Sequence, residues 1–198
     1  MNEPTYQIES RVSETLFDFG LDHDPGGKVR TSLPTGMIGD ARFHGEHHEY
    51  RLWLTRQWSA NAVAPFLLWV GMNPSTADVN VNDPTISRII RFSQTFGFRA
   101  CTICNVMDYR ATHPSDLCRP GVEPCSDKNL EVIIHAAFAA EKVILCHGLV
   151  PKVLQKYPDT AVEALRSRNI PLFCLGKTAT GHPRHPLYLR SDTPLEPF

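Results

Sequence analysis

The chain has 198 residues, of which 42% are hydrophobic and 21% are charged, and its formal net charge is −1. This length suits one domain with enough chain to bury a core, and the near-neutral charge argues against a non-specific, purely electrostatic nucleic-acid binder but not against a local basic groove. The sequence has no apolar stretch of the roughly 20 residues that a membrane span needs, and its first residues lack the basic and then apolar pattern of a signal peptide. We therefore expect a cytoplasmic protein without a membrane partner.

The N-terminal part of the chain is the least regular. Residues 1–36 show little hydrophobic periodicity and include Asp24-Pro25-Gly26-Gly27, so we expect an irregular arm ahead of a single α/β domain over residues 37–198. Two candidate strands follow at residues 41–43 and 50–56, and the second alternates polar and apolar residues. Gly45 lies in the polar stretch between them. This spacing predicts a β-hairpin with a half-buried second strand.

From residue 66 onward, candidate strands alternate with candidate helices. Apolar runs at residues 66–70, 100–106, 142–146 and 171–175 predict four strands. Helical periodicity predicts a helix after Asp83-Pro84 that ends at Gly97, another at residues 129–140, a short one from residue 150 and another at residues 160–168. The order predicts a three-layer α/β/α fold, with a central, mainly four-stranded parallel sheet and an N-terminal hairpin.

Polar, turn-forming residues follow each of the four predicted strands. These segments are residues 73–78, 105–110, 147–148 and 176–189. Because the carboxyl ends of parallel strands meet at one edge of a sheet, we expect the segments to converge there. Their asparagines, histidines, acids and basic groups are typical of a pocket that recognises a polar heterocycle or a phosphate by hydrogen bonds and polarises a water.

Four residues of these segments are candidates for catalysis: Asn73, Asp78, His182 and His185. The asparagine precedes a proline, so holding its own turn and acting on a ligand are both open interpretations. We interpret Asp83 as a helix cap, whereas Asp78 has no such structural role in the sequence. The two histidines each precede a proline, and the rigid backbone of such steps is suited to positioning a catalytic side chain.

The six cysteines are expected to be free thiols. Cys101 and Cys104 have the spacing of a redox or zinc motif, but they lie within a predicted strand, where residues three apart point to opposite faces. Three histidines lie at the tip of the hairpin, where a solvated turn is the favoured interpretation. We therefore predict no metal site.

The chain resembles the bacterial and phage domain-of-unknown-function family 1643 from about residue 37 to its C-terminus. The residues that carry this resemblance occur in the same order along the chain: Gly71-Met72-Asn73-Pro74-Ser75-Thr76-Ala77-Asp78, Asp83-Pro84-Thr85-Ile86, Asn105, Arg110-Ala111-Thr112 and Gly181-His182-Pro183-Arg184-His185-Pro186-Leu187-Tyr188-Leu189. The family has no settled activity, so this resemblance implies a domain boundary and not a function.

A more distant resemblance is to the uracil-DNA glycosylases. Gly71-Met72-Asn73-Pro74 looks like their Gly-x-Asn-Pro motif, which implies that Asn73 positions the attacking water, and Asn105 looks like their base-reading asparagine. His147-Gly148 stands where their third strand often ends in Trp-Gly. Their final loop begins His-Pro-Ser-Pro, and both His182-Pro183 and His185-Pro186 are candidates for its counterpart. Ser75 replaces the usual glycine after the proline.

These observations predict an N-glycosidase that excises uracil or another modified base from DNA or another nucleic acid, without a cofactor. Base contacts are expected from Asn105, Met72 and Tyr109. Phosphate contacts are expected from five residues: Ser75, Thr76, Arg110, Lys177 and Arg184. Two alternatives remain open, namely a non-catalytic nucleobase-binding module and a hydrolase of free nucleosides or nucleotides.

Overall fold

The computed structural model of the chain describes residues 30–59 and 65–198. Its strands are β1 (Thr31–Ser32), β2 (Ile38–His44), β3 (Tyr50–Gln57), β4 (Phe66–Gly71), β5 (Val81–Asn82), β6 (Ala100–Asn105), β7 (Lys142–Leu145), β8 (Leu172–Cys174) and β9 (Glu196–Pro197). Its α-helices are α1 (Pro84–Thr95), α2 (Asn129–Ala139) and α3 (Lys156–Arg166). Short 3-10 helices span Pro114–Cys118, Lys152–Leu154 and Pro186–Tyr188.

Seven strands form one mixed sheet in the order β2-β3-β6-β4-β7-β8-β9. The four central strands, β6, β4, β7 and β8, are parallel, while the hairpin of β2 and β3 joins one side antiparallel and β9 joins the other. The predicted four-stranded parallel sheet and the hairpin are confirmed. The sequence did not predict β9 or the small two-stranded sheet of β1 and β5.

Part of the predicted N-terminal arm has regular structure. β1 lies inside the range 1–36 and pairs antiparallel with β5, so that Thr31 is opposite Asn82 and Ser32 is opposite Val81. Residues 1–29 of the arm lie outside the described residues. The pairing attaches the start of the described chain to the segment that precedes α1.

Helices cover both faces of the sheet, as the predicted three layers require. One core cluster packs α1 against β4 and β6 on one face, and the other packs α2 and α3 on the opposite face. Cys101 belongs to the first cluster and Cys104 to the second, which confirms that the two thiols point to opposite faces. Burial raises the pKa of each to about 12, so both are protonated thiols packed as small apolar groups.

The predicted limits of α1 are confirmed. The Asp83 carboxylate accepts a hydrogen bond from the Ile86 amide (2.9 Å) and caps the helix, and Pro84 occupies its first turn. Gly97 follows the helix with a φ of 82°, a conformation that favours glycine. α1 therefore begins directly after β5, at the end of the segment that follows β4.

The helix predicted at residues 160–168 begins earlier in the structure. α3 starts at Lys156 and includes Pro158. A proline is tolerated there because the amides of the first turn have no partner within a helix. The short helix predicted from residue 150 is the 3-10 turn Lys152–Leu154.

The order of the parallel strands creates a topological switch point. From β4 the chain crosses through α1 to β6 on one side, and it then returns through α2 to β7 on the other side of β4. Open α/β sheets bind ligands in the crevice outside the carboxyl ends of the strands at such a point. The crevice here lies beyond Gly71 and Cys146.

Within the described ranges, the structure contains no helix that is both long enough and apolar enough to cross a membrane.

The buried Trp69 of β4 provides a test of the core. Its indole Nε1 donates to the Ser93 hydroxyl (3.0 Å), which itself donates to the Ile89 carbonyl oxygen. We expect Ser93→Ala to lower the free energy of unfolding by about 2 kcal/mol, because it leaves a buried indole N–H without an acceptor.

Thr95→Ala is the matched control, since it removes a hydroxyl of the same helix that is exposed and bonded to its own turn. Its effect on urea unfolding should stay within about 0.5 kcal/mol. Equal losses in the two variants would contradict the importance of the Trp69 bond.

Candidate functional site

A cavity of about 740 Å³ opens at the carboxyl edge of the parallel strands, at the switch point. Gly71 at the end of β4, Asn105 at the end of β6 and His147 after β7 all line it. The loop after β8 supplies Arg184 and His185. All four segments that were predicted to converge therefore contribute to one cavity.

Seven of the twelve residues predicted for the site line this cavity: Met72, Asn73, Ser75, Thr76, Asn105, Arg184 and His185. Five others, Asp78, Tyr109, Arg110, Lys177 and His182, are not among its described lining residues. The predicted site is therefore brought together in part, and the five outlying residues have other contacts.

Asp78 has a local structural role. Its carboxylate accepts hydrogen bonds from the backbone amides of Asn80 (2.8 Å) and Val81 (3.0 Å), which closes the turn before β5. Asp83, which was interpreted as a cap, does cap α1 and also lines the cavity. The carboxylate at the cavity is therefore that of Asp83.

Three of the other outlying residues pack against aromatic rings. Tyr109 meets Tyr50 edge to face, with ring centroids 5.6 Å apart. The Arg110 guanidinium lies over Phe43 and donates to a hairpin carbonyl oxygen. Lys177 lies 5.1 Å from the ring centroid of the C-terminal residue. These contacts stabilise the loops that carry Tyr109, Arg110 and Lys177.

Asn73 holds the wall of the cavity. Its Nδ2 donates to the Ala111 carbonyl oxygen (2.6 Å) and to the Pro74 carbonyl oxygen (3.0 Å). Because both partners are acceptors, the amide nitrogen must face them. The side-chain oxygen, Oδ1, accepts no hydrogen bond from the described residues, so it is the polar atom that Asn73 has for a ligand or a water. Asn73 can therefore hold its own turn through Nδ2 and act on a ligand through Oδ1, so the two interpretations left open by the sequence are compatible.

The side-chain amide of Asn105 is fixed in the opposite orientation to that of Asn73, with its oxygen rather than its nitrogen bonded to the protein. Its Oδ1 accepts a hydrogen bond from Nη2 of Arg51 (3.2 Å), and since a guanidinium only donates, the oxygen must face the arginine. The Nδ2 atom then lies on the side of Gly71, where a Cβ on the glycine would come within 2.8 Å of it. Nδ2 has no acceptor in the described part of the chain. Asn105 therefore presents a donor at the inner end of the cavity.

Arg51 of β3 is the main site residue that the sequence did not identify. It lines the cavity, is 1% exposed, and donates to the Ala77 carbonyl oxygen (2.9 Å) as well as to Asn105. Burial lowers its pKa to about 10, with Asp83 acting in the opposite direction, so Arg51 is cationic at neutral pH. An arginine at a polar position of an alternating strand usually faces solvent, and the sequence therefore gave no sign of its burial.

His147 is the second residue that the predicted set lacked. It is 1% exposed, and its Nδ1 lies 2.9 Å from the Gly148 carbonyl oxygen. A carbonyl only accepts, so Nδ1 carries the proton and Nε2 is an acceptor. Burial lowers the pKa of His147 to about 4, which keeps the ring neutral at neutral pH. The strand-end position of His147-Gly148 was the signal available in the sequence.

The structure distinguishes His185 from His182. His185 lines the cavity, and its Nδ1 accepts a hydrogen bond from the Leu187 amide (3.4 Å), which makes Nε2–H the donor of the neutral ring. Burial lowers the pKa of His185 and favours this neutral form. His182 is not among the residues that line the cavity. Its ring lies edge to face with the His147 ring, and the two ring centroids are 6.4 Å apart. The two neutral rings at the cavity are therefore a donor, His185, and an acceptor, His147.

Apolar side chains surround the mouth of the cavity. Leu149 is 62% exposed, Leu187 is 39% exposed and Tyr188 is 79% exposed, and all three line the cavity. Arg184 is also exposed in this rim. An apolar patch with a cation beside a cavity is characteristic of a surface that contacts a ligand.

No cluster of histidine, cysteine or acidic side chains suited to holding a metal ion occurs among residues 30–59 and 65–198.

A protein-family model described as "Protein of unknown function (DUF1643)" matches residues 51–187, which is more than half of the chain. The chain therefore belongs to this family. Neither the curated proteins nor the solved structures contain a significant match.

The lowered pKa of His147 has a measurable consequence. We expect its ring resonances to stay unchanged from pH 7 down to about pH 5 in an NMR titration, and the signal is assigned by its loss in His147→Gln. An unfolded chain binds this proton near pH 6.5, so the His147 contribution to the free energy of unfolding is complete above pH 6.5 and falls as the pH drops toward 4. Titration near pH 6.5 in the folded protein would contradict this assignment.

Proposed function

We propose that the cavity of this DUF1643 protein binds a nucleobase and that the protein hydrolyses the bond between that base and its sugar. One observation carries the proposal: Asn105 and His185 provide hydrogen-bond donors, and Asn73 and His147 provide acceptors, around a single cavity at the switch point. Its volume of about 740 Å³ is within the usual range for small-molecule sites.

The donors suit a base with carbonyl oxygens. Asn105 Nδ2 and His185 Nε2–H each require an acceptor, and uracil has two carbonyl oxygens on its ring. When the glycosidic bond breaks, its electron pair stays on the base, and the negative charge spreads onto those oxygens. Donors that are fixed in advance stabilise such charge most effectively. His185 is the proposed donor to the leaving base, and Asn105 is the proposed donor that recognises it.

The acceptors suit the water. A water that attacks the sugar carbon forms the new C–O bond as the bond to the base breaks, and the proton that it loses ends on the departing base anion. The orientation of this water depends on nearby acceptors. Asn73 Oδ1 and His147 Nε2 are the proposed acceptors. Asp78 has no part in this scheme because its carboxylate is bonded within its own turn.

We also infer a distant relationship to the uracil-DNA glycosylases. The support is the order of the strand-end residues along the chain, with Asn73 after β4, Asn105 at the end of β6 and a His-Pro step after β8. The position of His185 at the cavity favours His185-Pro186 over His182-Pro183 as the counterpart of the final loop.

The two histidines provide a matched pair of variants. Oligonucleotides that carry a panel of uracil, modified pyrimidines and deaminated purines are incubated with the protein, and alkali then converts abasic sites into strand breaks. We expect His185→Ala to lower the rate of excision by about 100-fold or more, because it removes a donor to the leaving base. His182→Ala, in the same loop but outside the lining, should stay within a few-fold of wild type.

Equal rates in the two histidine variants would contradict the proposed mechanism. The pair is a sharper test than Asn73→Ala, since Asn73 also holds the cavity wall through Ala111 and its loss disturbs the site by a second route.

A binding module without chemistry is the second candidate. The observation that favours it is that Asp83, the only carboxylate among the described lining residues, already caps α1. Saturable binding of a modified base, lost in Asn105→Ala and accompanied by no abasic product from any oligonucleotide, would select this candidate over the glycosidase.

The apolar rim favours a nucleic-acid strand over a free nucleotide. An exposed tyrosine beside the site offers a surface on which a neighbouring base stacks, and Arg184 offers a cation for the backbone. We expect Tyr188→Ser to weaken the binding of a single-stranded oligonucleotide by about tenfold and to leave the binding of the free base unchanged. Fluorescence anisotropy measures the first affinity and calorimetry the second. Equal losses for both ligands, or activity on mononucleotides alone, would favour the free-nucleotide alternative.

A further inference from the structure

We propose that Arg51 makes the inner end of the cavity selective for negative charge, so that the ligand group lying against Asn105 is an oxyanion. This inference rests on the proposed function for one point only, namely that the ligand is a base. Its central observation is a buried cation beside the residue that recognises the ligand, and no step of the proposed hydrolysis depends on it.

The charge of Arg51 is incompletely compensated. The side chain is 1% exposed, and within the described part of the chain it forms no ion pair with a carboxylate. Among residues 30–59 and 65–198, its Nε has no hydrogen-bond partner, and its two bonds go to the neutral oxygens of Ala77 and Asn105. An uncompensated buried charge is costly. An anion in the adjoining cavity would reduce that cost.

Arg56, the other buried arginine of β3, provides the contrast. It is 0% exposed, and all three of its nitrogens donate to oxygens of the chain. One of these acceptors is the Asn82 side chain (2.7 Å). Arg56 does not line the cavity. All the nitrogens of Arg56 are therefore bonded within the fold, whereas Arg51 lines the cavity and keeps its buried Nε without a bond among the described residues.

The other charges around the cavity leave this effect in place. Asp83 is the opposing charge, and its Oδ1 is bonded to the α1 amide of Ile86. Arg184 adds a second cation at the rim. His147 and His185 are neutral at neutral pH, since burial lowers both of their pKa values. Arg110 adds further positive charge near Arg51. Arg51, Arg110 and Arg184 therefore outnumber the one carboxylate, Asp83, among these charges.

Two sources of an oxyanion are consistent with this chemistry: a base that has lost its ring proton, and a phosphate group. Arg51 is bonded to Asn105, the proposed base reader, which favours the ionised base. In the proposed reaction, the leaving base carries this charge as the glycosidic bond breaks.

The test uses the wild-type protein and two free bases, uracil and 5-nitrouracil. Uracil stays neutral near pH 7, whereas the nitro group makes the ring proton acidic enough to be lost near neutral pH. We expect the absorbance spectrum of bound 5-nitrouracil to show a pKa lowered by at least one unit, which is at least a tenfold preference for the anion. An unchanged or raised pKa in the bound state would overturn the proposal.

Three variants identify the source of the shift. Arg51→Met should abolish the anion preference, and Arg51→Lys should restore part of it because the charge is retained. Arg91→Met, which removes an exposed cation of α1 that does not line the cavity, should leave the preference unchanged. Circular dichroism confirms that each variant is folded. If Arg51→Met does not fold, the comparison between Arg51→Lys and Arg91→Met remains, and equal pKa shifts in wild type and both variants would overturn the assignment to Arg51.

The outcomes separate this inference from the proposed function. Binding of both bases without a preference for the anion contradicts the role of Arg51 alone, whereas binding of neither base contradicts the proposed function. Inorganic phosphate is the third ligand. Competition by phosphate that is lost in Arg51→Met but kept in Arg91→Met would support the anion site and assign its charge to a phosphate group.

Discussion

The arrangement of the site depends on two buried arginines of a single hairpin strand. Arg51 donates to Ala77, and Arg56 donates to the carbonyl oxygens of Asp78 and Val81. Both arginines therefore hold the segment between β4 and α1 against β3. This segment follows directly from Gly71 and forms one wall of the cavity. Without these bonds, the carbonyl groups of Ala77 and Asp78 would lose their partners beside the sheet, which is unfavourable, whereas that of Val81 would keep the Asp78 amide. The hairpin is thus a structural support for the site as well as an addition to the sheet.

Strand β3 also contacts a residue of the proposed reaction, because Arg51 is bonded to Asn105. Through Arg51, the hairpin fixes the orientation of the Asn105 amide, and a buried cation therefore lies next to a donor that faces the ligand. α2 supports the same point from the other side, because the Asn129 side chain donates to the Asn105 carbonyl oxygen (2.9 Å). Asn105 is therefore held through its side chain by Arg51 and through its backbone by Asn129, and a donor that is fixed in this way loses little free energy when a ligand arrives.

Much of the fold was accessible from the sequence, because β4 and β7 are apolar on both faces and Asp83 marks the start of α1. The site was less accessible. An arginine in an alternating strand gives the same pattern whether it faces solvent or a buried loop, so the roles of Arg51 and Arg56 were missed. His182 and His185 share the same His-Pro context, and only the path of the loop separates them. The role of each polar group at the cavity depends on contacts between distant segments.

We propose above all that a nucleobase lies between the Asn105 amide and the His185 ring. The most direct measurement is an NMR titration that follows the side-chain nitrogen signals of both residues while a uracil-containing oligonucleotide is added. We expect both signals to shift together and to saturate at one affinity, while the Asn129 side-chain amide keeps its bond to the Asn105 backbone and changes little. Saturating binding that leaves the signals of Asn105 and His185 unchanged would contradict the proposal.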